Sequence, residues 1–107
     1  GFRPTIMEQP MVSTLYGFAG KPDLIGPLAG RESVVDTKSG AAGPAAHLQT
    51  AAYEILHGKP LKRYALQLKQ DGKYRLIEHK DRKDREIFLA ALAVYQWQVN
   101  QKIRGGK

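Results

Sequence analysis

Pro27-Leu28-Ala29-Gly30 separates two runs suited to extended structure, Leu24-Ile25-Gly26 before it and Arg31-Glu32-Ser33-Val34-Val35 after it. Proline and glycine clustered between such runs specify strand, turn, strand. The strands are expected near Lys21–Gly26 and Arg31–Lys38. With Ala29-Gly30 as a two-residue turn, Leu28 faces Arg31, and the same register sets Asp23 opposite Asp36. Two carboxylates facing each other across a strand pair repel. A divalent cation between them converts that cost into a binding site, because hard oxygen ligands suit Mg²⁺ or Mn²⁺. Strand alternation puts Val34, Asp36 and Lys38 on one face, so the Lys38 ammonium shares the carboxylates' side.

The elements around this hairpin follow from periodicity. Residues 1–10 carry two prolines and read as irregular, and Met11–Tyr16 reads as a first strand leading to Gly17-Phe18-Ala19-Gly20. Ser39–Gly43 is a small-residue loop, open equally to close approach by a phosphate backbone and to a plain connecting role. Pro44 suits the first turn of a helix and Gly58 the position just past its end. Between them Leu48, Ala51, Ala52, Ile55 and Leu56 form an apolar stripe. Gln49 and Tyr53, four residues apart, share a neighbouring face. Taken alone, that pair reads as a solvated amide beside a half-buried phenol.

Lys62–Leu68 alternates with Tyr64, Leu66 and Leu68 on one face, Asp71-Gly72 marks a hairpin turn, and Tyr74–Glu78 is the returning strand. A long helix starts at Asp81 as N-cap, with Asp84 in its first turn. Phe88, Leu92, Tyr95, Val99 and Ile103 are expected to face the core, and Trp97 lies off that stripe. The order is β-β-β-α-β-β-α, an α/β chain with a central mixed sheet flanked by helices.

At 107 residues the chain forms one domain with one modest core. Its net charge of +7 favours polyanionic partners. It has no cysteine, which excludes disulfides, thiolate zinc sites and cysteine nucleophiles. No apolar run approaches the ~20 residues of a membrane span, so no membrane partner is expected. His47, His57 and His79 lack metal-motif spacing. No phosphate-binding G-x-x-x-x-G-K-[ST] loop and no Ser-His-Asp arrangement is present. The chain opens on Gly1, as a trimmed or partial chain does.

Gly20-x-x-Asp23, Asp36-x-Lys38 and Gln49-x-x-x-Tyr53, in that order, resemble the PD-(D/E)xK nuclease superfamily, in particular its RecB-like and Cas4-like exonuclease branch. The resemblance covers about a third of the chain directly. It implies a restriction-endonuclease-like core and a nuclease cutting DNA phosphodiester bonds with Mg²⁺ or Mn²⁺. Asp23, Asp36 and the backbone carbonyl of Thr37 would hold the metal, with Glu8 as a further acidic ligand. Lys38 would orient water or meet developing charge, while Gln49 and Tyr53 hold the water or the DNA backbone. Lys21, Arg31, Lys62, Arg63 and Arg75 are candidate groove cations, and His47 a candidate substrate contact. An exonuclease of recombination, repair or phage DNA processing, in the cytoplasm of a bacterial or phage-infected cell, is the role implied. The sequence departs from the family at its front, where no helix precedes the first strand. A partner subunit or a second copy supplying that helix is one expectation. A non-catalytic nucleic-acid-binding module or a structural subunit retaining the fold is the alternative.

Overall fold

In the computed structural model of the chain, which describes residues 3–39 and 43–105, the hairpin forms as its turn chemistry requires. Ala29 and Gly30 take positive φ values of 51° and 77°, the two left-handed residues of a tight turn matching the strand twist. β4 (Leu24–Leu28) pairs antiparallel with β5 (Arg31–Ser39), with Leu28 opposite Arg31 and Leu24 opposite Val35. The expected register therefore holds, although β4 starts and ends later than expected.

The fold is mixed α and β. Among the described residues it comprises β1 (Ile6–Met7), β2 (Met11–Ser13), β3 (Phe18–Gly20), β4, β5, α1 (Ala45–His57), β6 (Lys62–Leu68), β7 (Tyr74–Glu78) and α2 (Lys83–Gly105). The front of the chain departs from the expected order. Residues 14–17 turn, so that β3 folds back on β2 as a separate two-stranded ribbon, and Ile6–Met7 adds a short strand to the main sheet. Main-sheet order is β1-β4-β5-β6-β7, with β5 and β6 parallel and every other neighbouring pair antiparallel. The parallel step needs a crossover, which α1 supplies. That helix starts after Pro44 and stops at Gly58, whose φ of 83° and N–H to the Glu54 carbonyl form a left-handed cap.

Ile25, Val34, Tyr53, Leu56 and Leu61 form the core between sheet and α1, with Ile6, Met11 and Phe18 packed at its margin. The β2–β3 ribbon rests on α1 and closes that edge. α2 does not flank the other face of the sheet. It packs on α1 and on the ribbon's turn, where Phe18 and Phe88 rings lie 5.0 Å apart and Gln96 donates to the Tyr16 carbonyl at 2.9 Å. Both helices therefore lie on one side. Among the described residues, no helix covers the opposite sheet face with Met7, Leu68, Tyr74 and Leu76.

The expected core stripe of α2 holds only in part. Phe88, Leu92 and Val99 are partly covered, but Tyr95 and Ile103 are 63% and 73% exposed. A 23-residue helix is about 34 Å long and α1 only about 20 Å, so the last turns of α2 run past their support. Trp97 is exposed as well. Among the described residues no helix is long and apolar enough to cross a membrane.

Candidate active site at the end of β5

Asp36 and Lys38 sit near the C-terminal end of β5, on the face that α1 covers. Asp36 follows Val34 inward and is 2% exposed. Burial pushes its carboxyl above the usual carboxylate range; Lys38 pulls it back and the neighbouring Asp23 raises it further. Lys38 Nζ lies 3.0 Å from Asp36 Oδ2 but out of line for a hydrogen bond, so this buried oxygen has a charged neighbour and no aligned donor. The ammonium is directed instead to Gln49 Oε1 at 2.7 Å, and the Gln49 amide donates to the Tyr53 hydroxyl at 2.7 Å. Helical spacing makes this relay possible, since Gln49 and Tyr53 lie one turn apart on α1. The Tyr53 hydroxyl is held above its ordinary pKa by burial, with the Gln49 bond opposing and the carboxylates adding to the rise.

Asp23 lies just before β4, across from Asp36. Its Oδ2 accepts the backbone N–H of Thr37 at 2.9 Å and the Thr37 hydroxyl at 3.0 Å. These bonds tie Asp23 to the strand that carries Asp36 and Lys38. Gly20 admits the α1 residues to this corner, because a Cβ there would stand 2.9 Å from Leu56 Cδ1 and 3.6 Å from the Tyr53 ring. The six signature residues, Gly20, Asp23, Asp36, Lys38, Gln49 and Tyr53, are thus brought together.

The remaining candidates divide. Glu8 is near Asp23 through its backbone, donating its N–H to the Asp23 carbonyl at 2.9 Å, with its own φ at 47° and its side chain exposed. Lys21 is exposed two residues before Asp23. Arg75 is exposed on β7 and pairs in register with Gln67, which pairs with Lys38, so the three share one face across three strands. Gln67 was not visible as a site residue in the sequence, because only the parallel β5–β6 pairing sets it beside Lys38. The Thr37 hydroxyl was missed too, since the expected role lay with its carbonyl.

Arg63 requires correction as a groove residue, while His47, Arg31 and Lys62 are directed away from the Asp36 site. Arg63 is 6% exposed, and both terminal nitrogens donate to Asp84 Oδ2 at 3.1 Å, with further bonds to the His47 and Asp81 carbonyls. It is an internal cation joining β6, α1 and the start of α2. His47 stacks on His79 with ring centroids 4.0 Å apart, and its Nδ1 lies 3.5 Å from Asp84. It points to that cluster because it stands two helical positions from Gln49. Arg31 and Lys62 begin β5 and β6, far from where those strands carry Lys38 and Gln67. Residues 40–42 of the expected loop lie outside the described residues.

Among the described residues no three His, Asp or Glu side chains converge as a metal cage. Asp23 and Asp36 still fit a hard divalent cation. Both are oxygen donors, and the buried Asp36 Oδ2 has no aligned donor of its own. Compared with known protein families and with curated protein sequences, the chain matches none.

Proposed function

We propose that this chain is a metal-dependent nuclease that hydrolyses DNA phosphodiester bonds, working from strand ends. The observation that supports it most is the unbroken polar line from Asp36 through Lys38 and Gln49 to Tyr53, beside a second carboxylate at Asp23. Mg²⁺ or Mn²⁺ held by Asp23, Asp36 and the Thr37 carbonyl would lower the pKa of a bound water and neutralise charge on the phosphate.

The protein's own groups do the positioning. Lys38 is fixed by Asp36 and Gln49, so its ammonium meets the charge that develops on a phosphate without having to reorganise. Gln49 holds Lys38 with its carbonyl and Tyr53 with its amide. The Tyr53 hydroxyl accepts from Gln49, which leaves its own hydrogen to donate to a water or a phosphate oxygen.

The test is cleavage of end-labelled linear and circular single-stranded DNA with Mn²⁺, Mg²⁺ or EDTA. Metal-dependent cutting is expected, lowered by about 10²–10³ or more in Lys38→Ala and in Asp36→Asn. Sparing of the circle would establish end-dependence, and cutting of the circle would make the enzyme an endonuclease. Salt-sensitive DNA binding without cutting under any metal would overturn the enzyme and favour a binding module.

A further inference from the structure

A second charged concavity lies at the other end of β5. It is a cleft of about 370 Å³ whose cations come from four separate places in the chain. Arg31 follows the β4–β5 turn, Lys62 and Arg63 open β6, Lys80 and Arg82 lie between β7 and α2, and Arg85 is in the first turn of α2. Two carboxylates, Glu54 and Glu78, line the same cleft, and each of the nearby carboxylates has a partner of its own. Glu78 faces Lys62 at 3.3 Å and Lys80 at 3.9 Å, Asp84 holds Arg63, and Glu54 accepts the Leu61 N–H at 2.8 Å. Among the described residues Arg31, Arg82 and Arg85 have no carboxylate within 4.0 Å. Arg85 donates to the Tyr16 hydroxyl at 3.4 Å.

We propose that this cleft binds a phosphate group, with Arg31, Arg82 and Arg85 as its charged donors. Guanidinium forks match phosphate oxygens in pairs, and three of them lining a cleft of ligand-site size form a polydentate anion site. The Arg63–Asp84 pair and the start of α2 give this end of the molecule a fixed frame. The proposal stands apart from the nuclease reading, since the two sites share no residue. Arg31 lies about 16 Å along β5 from Asp36 and, by strand alternation, on the opposite face, so the cleft is a separate site whose phosphate comes either from a nucleic-acid backbone or from a small phosphate compound.

An NMR titration of the full chain, at an ionic strength held constant with chloride, separates these sources. Inorganic phosphate is one probe and a short 5′-phosphorylated oligothymidylate the other. Saturable shifts at the Nε–H signals of Arg31, Arg82 and Arg85 are expected, with about tenfold weaker binding in Arg31→Gln and in Arg82→Gln. Both residues are exposed and free of ion pairs among the described residues, so the fold survives their replacement. Saturation by inorganic phosphate identifies a free phosphate compound as the ligand class; saturation by the oligothymidylate alone identifies the nucleic-acid backbone. Absence of saturation with both probes would overturn the site. So would unchanged affinity in the two variants, or equal weakening by Lys102→Gln at the far end of α2.

Discussion

Asp36 is costly to the folded protein at neutral pH. Its pKa is raised in the fold by burial, so the folded state binds the proton more readily than the unfolded chain. The destabilisation is therefore present at neutral pH, shrinks as pH falls below the folded pKa, and is gone below the unfolded value of 3.8. Asp36→Asn is expected to raise Tm by a few degrees while removing the proposed activity. A lowered Tm in thermal unfolding would mean that the Lys38 contact outweighs the burial. His79 behaves in the opposite sense. It is 3% exposed, its Nδ1 lies 2.8 Å from the Thr50 hydroxyl, and His47, Arg63 and Asp84 surround it. Burial first, then the His47 and Arg63 charges, lower its pKa from 6.5 to about 4. The unfolded state then takes up a proton first on acidification. Stability is full above pH 6.5 and falls by roughly 3 kcal/mol as pH drops toward 4. Denaturant unfolding at neutral and acid pH should show this slope in the wild type and a flatter one in His79→Gln.

Two elements carry most of the local specification. The β4–β5 turn places Ala29 at φ 51°, where an L residue with a Cβ is strained by about 1 kcal/mol. Ala29→Asn, which suits the first position of such a turn, is expected to stabilise by about that amount in urea unfolding. Gly26 is the converse case. A Cβ there would meet the Arg3 carbonyl and come 2.8 Å from Pro4 Cα, and backbone cannot swing aside. Gly26→Ala should cost ~2 kcal/mol and displace β1 from the sheet, visible as faster amide exchange at Thr5–Met7. The hairpin register and the bounds of β6 and β7 were legible in the sequence, because turn type and two-residue alternation are local properties. The splitting of Met11–Tyr16 into β2 and a turn was not. A short alternating run has too few residues to fix its own length, and the Gln96 bonds to the Tyr16 and Gly17 carbonyls come from α2.

Across the whole molecule, the Arg63–Asp84 pair ties the start of α2 to β6. Removing Arg63 strands a buried carboxylate, so Arg63→Ala should cost about 3–5 kcal/mol in thermal or urea unfolding, and Arg63→Met with Asp84→Met should recover much of it. The tertiary structure also sorts the positive charge. Lys21, Lys38 and Arg75 stay at the Asp36 end, while Arg31, Lys62, Lys80, Arg82 and Arg85 gather at the other. In sequence these cations are indistinguishable, since each reads as an ordinary charge beside a strand or helix. By itself the sequence determined what depends on neighbours along the chain. It specified the Ala29-Gly30 turn, the facing of Asp23 and Asp36, the common face of Asp36 and Lys38, the one-turn spacing of Gln49 and Tyr53, and the helix stop at Gly58. Only the tertiary structure decided what depends on residues distant in the chain. The parallel β5–β6 register set Gln67 and Arg75 beside Lys38, and the burial of Arg63 against Asp84 turned an expected surface cation into a structural one. Such outcomes are set by desolvation and packing, which exist only once separate segments have closed on one another.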